Sequence, residues 1–211
     1  MILKKLVVGE IETNCYIVFD EKTNFCAVID PGDKALEILA EIKALGGCLK
    51  AIFLTHGHFD HMLAAQELKQ QTGAPIYLHK DDVFFIEIVN EKYSLDFGVQ
   101  YQKPQIDKFF EDGMTVKVGE LEFKVFNTKG HSKGSCVLLC EDCMFSGDTL
   151  FERECGRCDL PGGSLDEMYA SLKKLAELYG DYKVYPGHGE DTLLSYERLN
   201  NPYMKEALAR Q

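Results

Sequence analysis

The chain has 211 residues, a length typical of one domain with a sizeable buried core. Its formal net charge of −11 disfavours a nucleic-acid backbone as partner, because phosphate binding requires clustered lysine and arginine. No apolar run in the sequence approaches the ~20 residues that span a bilayer, and residues 1–10 are predicted to form a strand rather than a signal peptide. We therefore expect a cytoplasmic protein, folded as a single domain over residues 1–211, with neither nucleic acid nor membrane as partner.

Apolar and polar periodicities along the first half predict alternating strands and helices. The predicted elements are strands at 2–8, 15–19, 25–29 and 50–54, helices at 34–45 and 61–72, and a strand at 75–78. Asp33 is the predicted N-cap of the first helix, and Gly46-Gly47 is its stop.

A second half is predicted to begin near Phe109. Its elements are strands near 115–126, 135–139 and 142–147, a helix at about 165–179, a strand near 183–185 and C-terminal helices. Ser164 precedes the long helix, with Glu167 as its capping-box partner. The stretch 86–104, between the halves, shows no clear helix pattern and carries Tyr93, Phe97 and Tyr101. It is either a surface connection or a lid that faces a substrate.

A dense cluster of histidines with one aspartate follows the predicted strand at 50–54. The run is Thr55-His56-Gly57-His58-Phe59-Asp60-His61. In an extended loop, residues two apart point to the same side, so we expect His56 and His58 to hold one ion. Asp60 and His61 lie around the bend, which indicates a second ion nearby. Imidazole and carboxylate ligands suit Zn²⁺, and loops at the carboxyl ends of strands are where ligand sites collect.

Two more histidines and one aspartate stand on glycine-containing loops that each follow a predicted strand. The loops are Lys129-Gly130-His131-Ser132, Ser146-Gly147-Asp148-Thr149 and Pro186-Gly187-His188-Gly189. A site assembled along one rim of a sheet would collect these side chains. The remaining histidine, His79, comes shortly before two acidic residues, and we interpret it as structural or surface-exposed.

In order, the motifs T-H-x-H-x-D-H, G-H-S, G-D-T and P-G-H-G resemble the metallo-β-lactamase superfamily over essentially the whole chain. Further segments resemble its small glyoxalase II-like hydrolases: Glu12-Thr13-Asn14-Cys15-Tyr16, Val28-Ile29-Asp30-Pro31-Gly32, and 147–164 with its Gly156-Arg157-Cys158-Asp159-Leu160-Pro161-Gly162-Gly163. The resemblance implies an α/β (α+β type) fold, the four-layer αβ/βα sandwich. The predicted order of elements suits two facing sheets with helices on both outer sides.

The resemblance also implies a ligand set for two divalent metal ions. One ion would be held by His56, His58 and His131, the other by Asp60, His61 and His188, with Asp148 bridging them. Zn²⁺ is the first expectation, with iron or manganese as alternatives. Two cations that share Asp148 would also share a water, whose pKa falls from about 15.7 to about 7 on such metals. The hydroxide between the ions would then attack the substrate without a side-chain base. The predicted catalytic residues are therefore two of the metal ligands, Asp60 and Asp148.

The function that the resemblance implies is hydrolysis of a small-molecule thioester. The thiol carrier stays open, because glyoxalase II enzymes hold glutathione with basic residues of an additional C-terminal segment, and only Lys205 and Arg210 follow Arg198 here. True lactamases usually have cysteine where Asp148 stands, which disfavours antibiotic hydrolysis. Alternatives are a persulfide dioxygenase with one iron on His56, His131 and Asp148, a lactonase, and a non-catalytic metal-binding module. The sequence does not predict an oligomeric state.

Eight cysteines include two C-x-x-C pairs, Cys140–Cys143 and Cys155–Cys158, a pattern that suits a structural zinc site. The intervening Glu141-Asp142 instead predicts a hairpin turn that places the first pair on facing strands. We therefore expect the cysteines to be reduced and to serve as small packing residues, in a reducing compartment.

Two polar residues near the predicted site have open roles. Asp30 ends a strand before Pro31-Gly32, where it either orients a ligand histidine or caps the turn. Lys133 follows the G-H-S motif, where it either meets an acidic substrate or points to water.

Overall fold

Two six-stranded sheets form the centre of the computed structural model, which describes residues 1–210. The first sheet contains β1 (Ile2–Val8), β2 (Thr13–Asp20), β3 (Phe25–Ile29), β4 (Cys48–Phe53), β5 (Ile76–His79) and β6 (Lys108–Phe110), side by side in chain order. The first three strands pair antiparallel, and β3 to β6 run parallel.

The second sheet is built mainly from hairpins. Its strands are β7 (Thr115–Val118), β8 (Leu121–Asn127), β9 (Cys136–Cys140), β10 (Cys143–Gly147), β13 (Lys183–Pro186) and β14 (Thr192–Leu193), while β11 (Leu150–Phe151) and β12 (Glu154–Cys155) form a separate ribbon. From β7 to β10, each strand pairs antiparallel with the next along the chain, whereas β10 and β13 are parallel. Loops that follow β10 and β13 therefore leave the sheet at the same rim.

Helices cover the outer faces of both sheets. They are α1 (Ala35–Ala44), α2 (Ala65–Thr72), α4 (Leu165–Ala176), α5 (Leu194–Asn200) and α6 (Pro202–Ala209). A further helix, α3 (Asn90–Asp96), packs beside the turn Phe59–His61. Side chains of α1 and α2 pack on the first sheet, and those of α4, α5 and α6 pack on the second. None of the helices within residues 1–210 combines the length and apolar character needed to cross a membrane.

Strand β2 shows how one segment supplies two layers of core. Successive side chains of a strand point to opposite faces. Tyr16 and Val18 accordingly join the core between the sheets, while Ile17 and Phe19 join the core under α1 and α2. All eight residues of β2 are buried, because both faces of the sheet are covered. The predicted four-layer αβ/βα sandwich is confirmed.

Three predicted boundaries are wrong. The second half does not begin near Phe109, because β6 pairs with β5 of the first sheet. The helix predicted at 61–72 begins only at Ala65, since Phe59–His61 forms a 3₁₀ turn that directs the preceding loop inward. Asp33 does not cap α1: its carboxylate accepts from the adjacent Lys34 N–H over 2.6 Å, and Lys34 takes the cap position in a left-handed conformation.

The stretch 86–104 is more helical than its sequence pattern predicts. A π-helical turn, Phe85–Val89, leads directly into α3. A π turn has wider spacing than the 3.6-residue period, so an apolar pattern tuned to α-helices misses it. Ser164, by contrast, caps α4 as predicted, although its own N–H donates to Gly130 rather than to Glu167.

Candidate metal centre

Four loops meet at one rim of the two sheets, and each carries predicted ligands. The first follows β4, the second follows β8, and the others follow β10 and β13. Backbone hydrogen bonds join them: Cys136 N–H donates to Thr55 over 2.8 Å, and Gly187 N–H donates to Gly147 over 2.9 Å. The rim therefore holds residues that are far apart in sequence at fixed positions.

All seven predicted ligands come together at this rim. Their donor atoms fall into three overlapping groups, and within each group the atoms lie within 4.8 Å of one another. The groups are His56, His58 and His131; His56, His61 and Asp148; and Asp60, His61 and His188. We call the first the three-histidine group and the third the acidic group, and the second connects them.

The carboxylate of Asp148 lies between the two groups. Its Oδ2 is 3.4 Å from His131 Nε2 of the three-histidine group. Its Oδ1 is 3.5 Å from His61 Nε2, and its Oδ2 is 3.7 Å from His188 Nε2, both in the acidic group. One side chain thus faces ligands of both groups, as a bridging residue must.

The donor atoms have the chemistry that a divalent cation requires. His56 Nε2 and Asp148 Oδ1 are buried without a hydrogen-bond partner in the described chain, a rare condition for buried polar atoms. The Nε2 atoms of His61 and His188 face each other at 3.2 Å, and His131 Nε2 faces His58 Nδ1 at 2.8 Å. Two ring nitrogens whose lone pairs face each other at such distances repel, unless a proton or a cation lies between them. Imidazole and carboxylate ligands fit zinc, iron or manganese.

Other polar groups fix the orientation of the histidine rings. His131 Nδ1 donates to the Arg157 carbonyl over 2.8 Å, which leaves its Nε2 lone pair free. Asp30 Oδ2 lies 3.0 Å from His61 Nδ1 and also accepts from Thr55 Oγ, which contacts His56 Nδ1 at 3.1 Å. Ligating histidines are usually oriented in this way. Asp30 therefore lies beside a candidate ligand histidine, as the first of its two predicted roles requires.

The two groups differ in their electrostatics. Burial lowers the pKa of His56 well below its usual range and that of His58 to about 3. Burial also acts to lower the pKa of His61, but the surrounding carboxylates, Asp148 foremost, outweigh it and raise that pKa to about 10. The pKa of His188 is likewise raised by nearby carboxylates against the effect of burial. Cation binding would displace these protons, because ligating imidazoles are deprotonated.

Two glycines allow the backbone to approach Asp148. A Cβ on Gly187 would lie 2.2 Å from Asp148 Oδ1 and 2.7 Å from His61 Cε1. A Cβ on Gly156 would lie 1.8 Å from the Asp148 carbonyl oxygen. Close packing against the centre thus explains Gly187 and Gly156, a reason that the motifs alone did not reveal.

A cavity of about 620 Å³ opens over the centre. Five candidate ligands line it: His58, Asp60, His131, Asp148 and His188. The other lining residues are mainly apolar or aromatic: Ile11, Phe59, Phe85, Asn90, Tyr93, Asp96, Phe97, Phe151, Arg157, Leu160 and Pro161. Tyr93 and Phe97 line it, which favours the substrate-facing role for their segment. Tyr101 does not, since it is half-buried with its hydroxyl 3.8 Å from Met62 Sδ.

The remaining candidate residues lie outside the centre. His79 is buried, accepts from Asp81 N–H over 3.2 Å and belongs to none of the metal-ligand groups found within residues 1–210, so its structural interpretation is confirmed. Lys133 is exposed and does not line the 620 Å³ cavity.

The cysteines likewise form no metal cluster in the described part of the chain. Cys140 and Cys143 face each other across the β9–β10 hairpin in the core between the sheets, as predicted, whereas Cys155 and Cys158 pack near α4 and α6. Burial raises the pKa of Cys140 and of Cys155 to about 12, so both thiols are protonated at neutral pH.

Comparison with known proteins agrees with this geometry. A profile described as the metallo-beta-lactamase superfamily matches residues 8–188. The chain belongs to the metallo-β-lactamase superfamily. It is 32% identical over 214 residues to hydroxyacylglutathione hydrolase GloC of Haemophilus influenzae, an alignment that covers 97% of this chain and 98% of that protein.

Solved structures with the same fold include a β-lactamase and a protein in a di-iron-bound form. BLEG-1, a B3 metallo-β-lactamase, superposes with a TM-score of 0.88 at 32% identity, covering 96% of this chain and 99% of that one. TTHA1623 in a di-iron-bound form gives 0.86 at 34%, with 95% and 99% covered. ETHE1 from Myxococcus xanthus gives 0.81 at 29%, with 100% and 86% covered. The fold is thus common to all three, and the particular reaction must be inferred from the site.

Proposed function

We propose that this chain is a binuclear metal-dependent hydrolase of small thioesters. The observation that carries the proposal is the position of Asp148, whose carboxylate faces the three-histidine group and the acidic group at the floor of one cavity. The 32% identity to a hydroxyacylglutathione hydrolase over nearly the full length supports the choice of thioesters.

Each ligand would have a distinct task. The three-histidine group would hold one ion, the acidic group the other, and Asp148 would hold both at a fixed separation. Two divalent cations bound here would supply a water ionised near neutral pH and polarise the substrate carbonyl. Zn²⁺ is our first assignment, although the di-iron form of TTHA1623 makes iron a direct alternative.

A thiol leaving group suits the side chains around the cavity. All three histidines that line it, His58, His131 and His188, belong to the candidate ligand set, so no lining histidine is left over as a general acid. A thiolate departs with little acid assistance, whereas an amine needs a proton. Hydrolysis of a thioester therefore does not require a general acid, which the histidines of the lining do not provide.

The thiol carrier is the least constrained part of the substrate. The lining contains one arginine and no lysine, and the guanidinium of that Arg157 already makes two 2.7 Å hydrogen bonds to Asp159. The other walls are mainly apolar or aromatic. We therefore expect turnover with more than one thiol carrier, S-lactoylglutathione among them.

A persulfide dioxygenase is the second candidate. The similarity to ETHE1 favours it, and His56, His131 and Asp148 would be the residues to hold its single iron. Consumption of oxygen with glutathione persulfide, together with one iron per chain, would replace our proposal by this one.

A panel of substrates tests the proposed reaction directly. S-lactoylglutathione and acyl thioesters of other carriers would be assayed with a thiol-reactive dye, beside an acyl-lactone and a β-lactam. We expect thiol release that disappears in Asp148→Ala and persists in Asp142→Ala, a control aspartate exposed on the β9–β10 turn. Absence of thiol release from every thioester, with metal bound, would contradict the proposal and direct attention to lactones, β-lactams or persulfides.

A further inference from the structure

Asp82 is a buried carboxylate that lies outside the candidate ligand set. Its relative exposure is 0%, and none of the ion pairs in the described chain includes it. It ends the 3₁₀ turn Lys80–Asp82 that follows β5, and the turn is fixed by the hydrogen bond from Asp81 N–H to His79 Nδ1. A buried charge of this kind needs good hydrogen-bond donors.

The donors come from two of the loops that carry metal ligands. Asp82 Oδ2 accepts from Gly57 N–H over 2.8 Å and from Ser132 Oγ over 2.6 Å, and Oδ1 accepts from Gly134 N–H over 2.6 Å. Gly57 separates His56 from His58, and Ser132 follows His131. One carboxylate thus joins both loops of the three-histidine group.

The backbone of both loops packs closely against Asp82. A Cβ on Gly57 would lie 2.8 Å from the Asp82 carbonyl oxygen and 2.9 Å from its Cβ. A Cβ on Gly134 would lie 2.6 Å from Asp82 Cγ. Both loops therefore approach Asp82 more closely than any residue with a side chain allows, so the carboxylate acts as a spacer between them.

The segment that starts at Asp82 also holds the other side of the first loop. Asn90 Nδ2 donates to the Gly57 carbonyl over 2.9 Å, so both polar groups of Gly57 are bound by this segment. The Phe85 ring packs edge-on against His58, with centroids 4.6 Å apart. The same segment continues into the cavity wall at Tyr93 and Phe97.

We propose that Asp82 is a positioning residue that sets the separation of His58 and His131, and thereby the affinity of the ion that these residues hold with His56. The proposal rests on the metal centre proposed above. An asparagine at this position keeps one acceptor oxygen and turns an NH₂ group toward a donor of one loop. That loop then loses its anchor, while the acidic group, which Asp82 does not contact, is unaffected.

The test is a metal titration of Asp82→Asn against a competing chelator. Zn²⁺ or Co²⁺ would be added to chelator-stripped protein, with Asp81→Asn as a matched control because Asp81 is the neighbouring, partly exposed aspartate. We expect one equivalent to bind about 10- to 100-fold more weakly in Asp82→Asn, while the second equivalent and all of Asp81→Asn match the wild type. A merely structural defect would weaken both equivalents and lower the melting temperature of the metal-free protein.

Equal binding of both equivalents in wild type and folded Asp82→Asn would overturn the inference, yet leave the binuclear centre intact. Failure of the wild type itself to bind metal would instead refute the proposed function. If Asp82→Asn does not fold, Ser132→Ala removes one of the three hydrogen bonds with little change in volume. Selective weakening of one equivalent in that variant supports the role of Asp82, and unchanged titration contradicts it.

Discussion

The three-histidine group and the acidic group are neighbours, yet they are built on different principles. In the first, burial lowers the pKa of His56 and, to about 3, that of His58, and its loops are held by Asp82 and by the Arg157 carbonyl. The second is surrounded by carboxylates that raise the pKa of His61 to about 10. The first group therefore depends on loop geometry, whereas the second also offers negative charge to a cation. The two groups should therefore respond to different substitutions.

Asp148→Ala should have the largest effect, because it removes the carboxylate that lies between the two groups. We expect turnover to fall by more than about 100-fold and both metal equivalents to weaken. Steady-state kinetics and metal analysis would measure this. Retention of more than about a tenth of wild-type turnover would remove the support for a shared centre.

Asp30→Asn should weaken both equivalents through the rings it orients. Asp30 contacts His61 directly and reaches His56 through Thr55. We expect each affinity to fall by about 10- to 100-fold, measured by competition with a chelator. Asp33→Asn, at a half-exposed aspartate three residues on, is the control and should bind like the wild type. An effect confined to one equivalent would show that only one of these contacts matters.

Asn14→Ala should affect the acidic group alone, because the Asn14 side chain contacts only the loop that carries His188. The Asn14 amide donates to the carbonyls of Pro186 and Gly189 over 2.9 and 3.0 Å. Both carbonyls keep another donor, Tyr16 Oη for Pro186 and Lys5 Nζ for Gly189, so the variant loses two hydrogen bonds. This loss should lower the free energy of unfolding by about 1–3 kcal/mol. Urea denaturation would measure the loss, and metal titration should show the acidic-group equivalent weakened alone. Equal weakening of both equivalents would argue against separate support for the two groups.

His79→Asn should have the smallest effect, since His79 lies outside both groups. The asparagine oxygen can replace Nδ1 as acceptor for Asp81 N–H, so metal content should not change. Burial lowers the pKa of His79 below its usual 6.5. The unfolded chain therefore takes up this proton first, and stability is lost as pH falls below ~6.5. Asparagine does not titrate, so the variant should lose less stability than the wild type on acidification, as measured by urea denaturation above and below ~6.5. Identical losses would contradict this.

The sequence predicted the four-layer fold and brought seven candidate ligands into view because their patterns are local and dense. His56, His58, Asp60 and His61 lie within one short loop, and the other three ligands each follow a strand. Positions of side chains that act across the fold were not predictable in this way. Asp82 follows another aspartate after a short strand, a context typical of a solvated turn, and its three donors come from loops 25 to 52 residues away.

Backbone geometry accounts for the predictions that failed. The chain must turn at Phe59–His61 to aim Asp60 and His61 inward, so the helix begins at Ala65 instead of where apolar spacing starts. The π turn before α3 has no period that a search for α-helices detects. Both departures lie beside the metal centre, where tertiary contacts override local preference.

Metal stoichiometry tests the central claim most directly. Protein purified without a chelator should contain close to two equivalents of divalent metal per chain, and both His61→Ala and His188→Ala should reduce that number. A wild-type value near one equivalent, unchanged by either substitution, would contradict the binuclear centre.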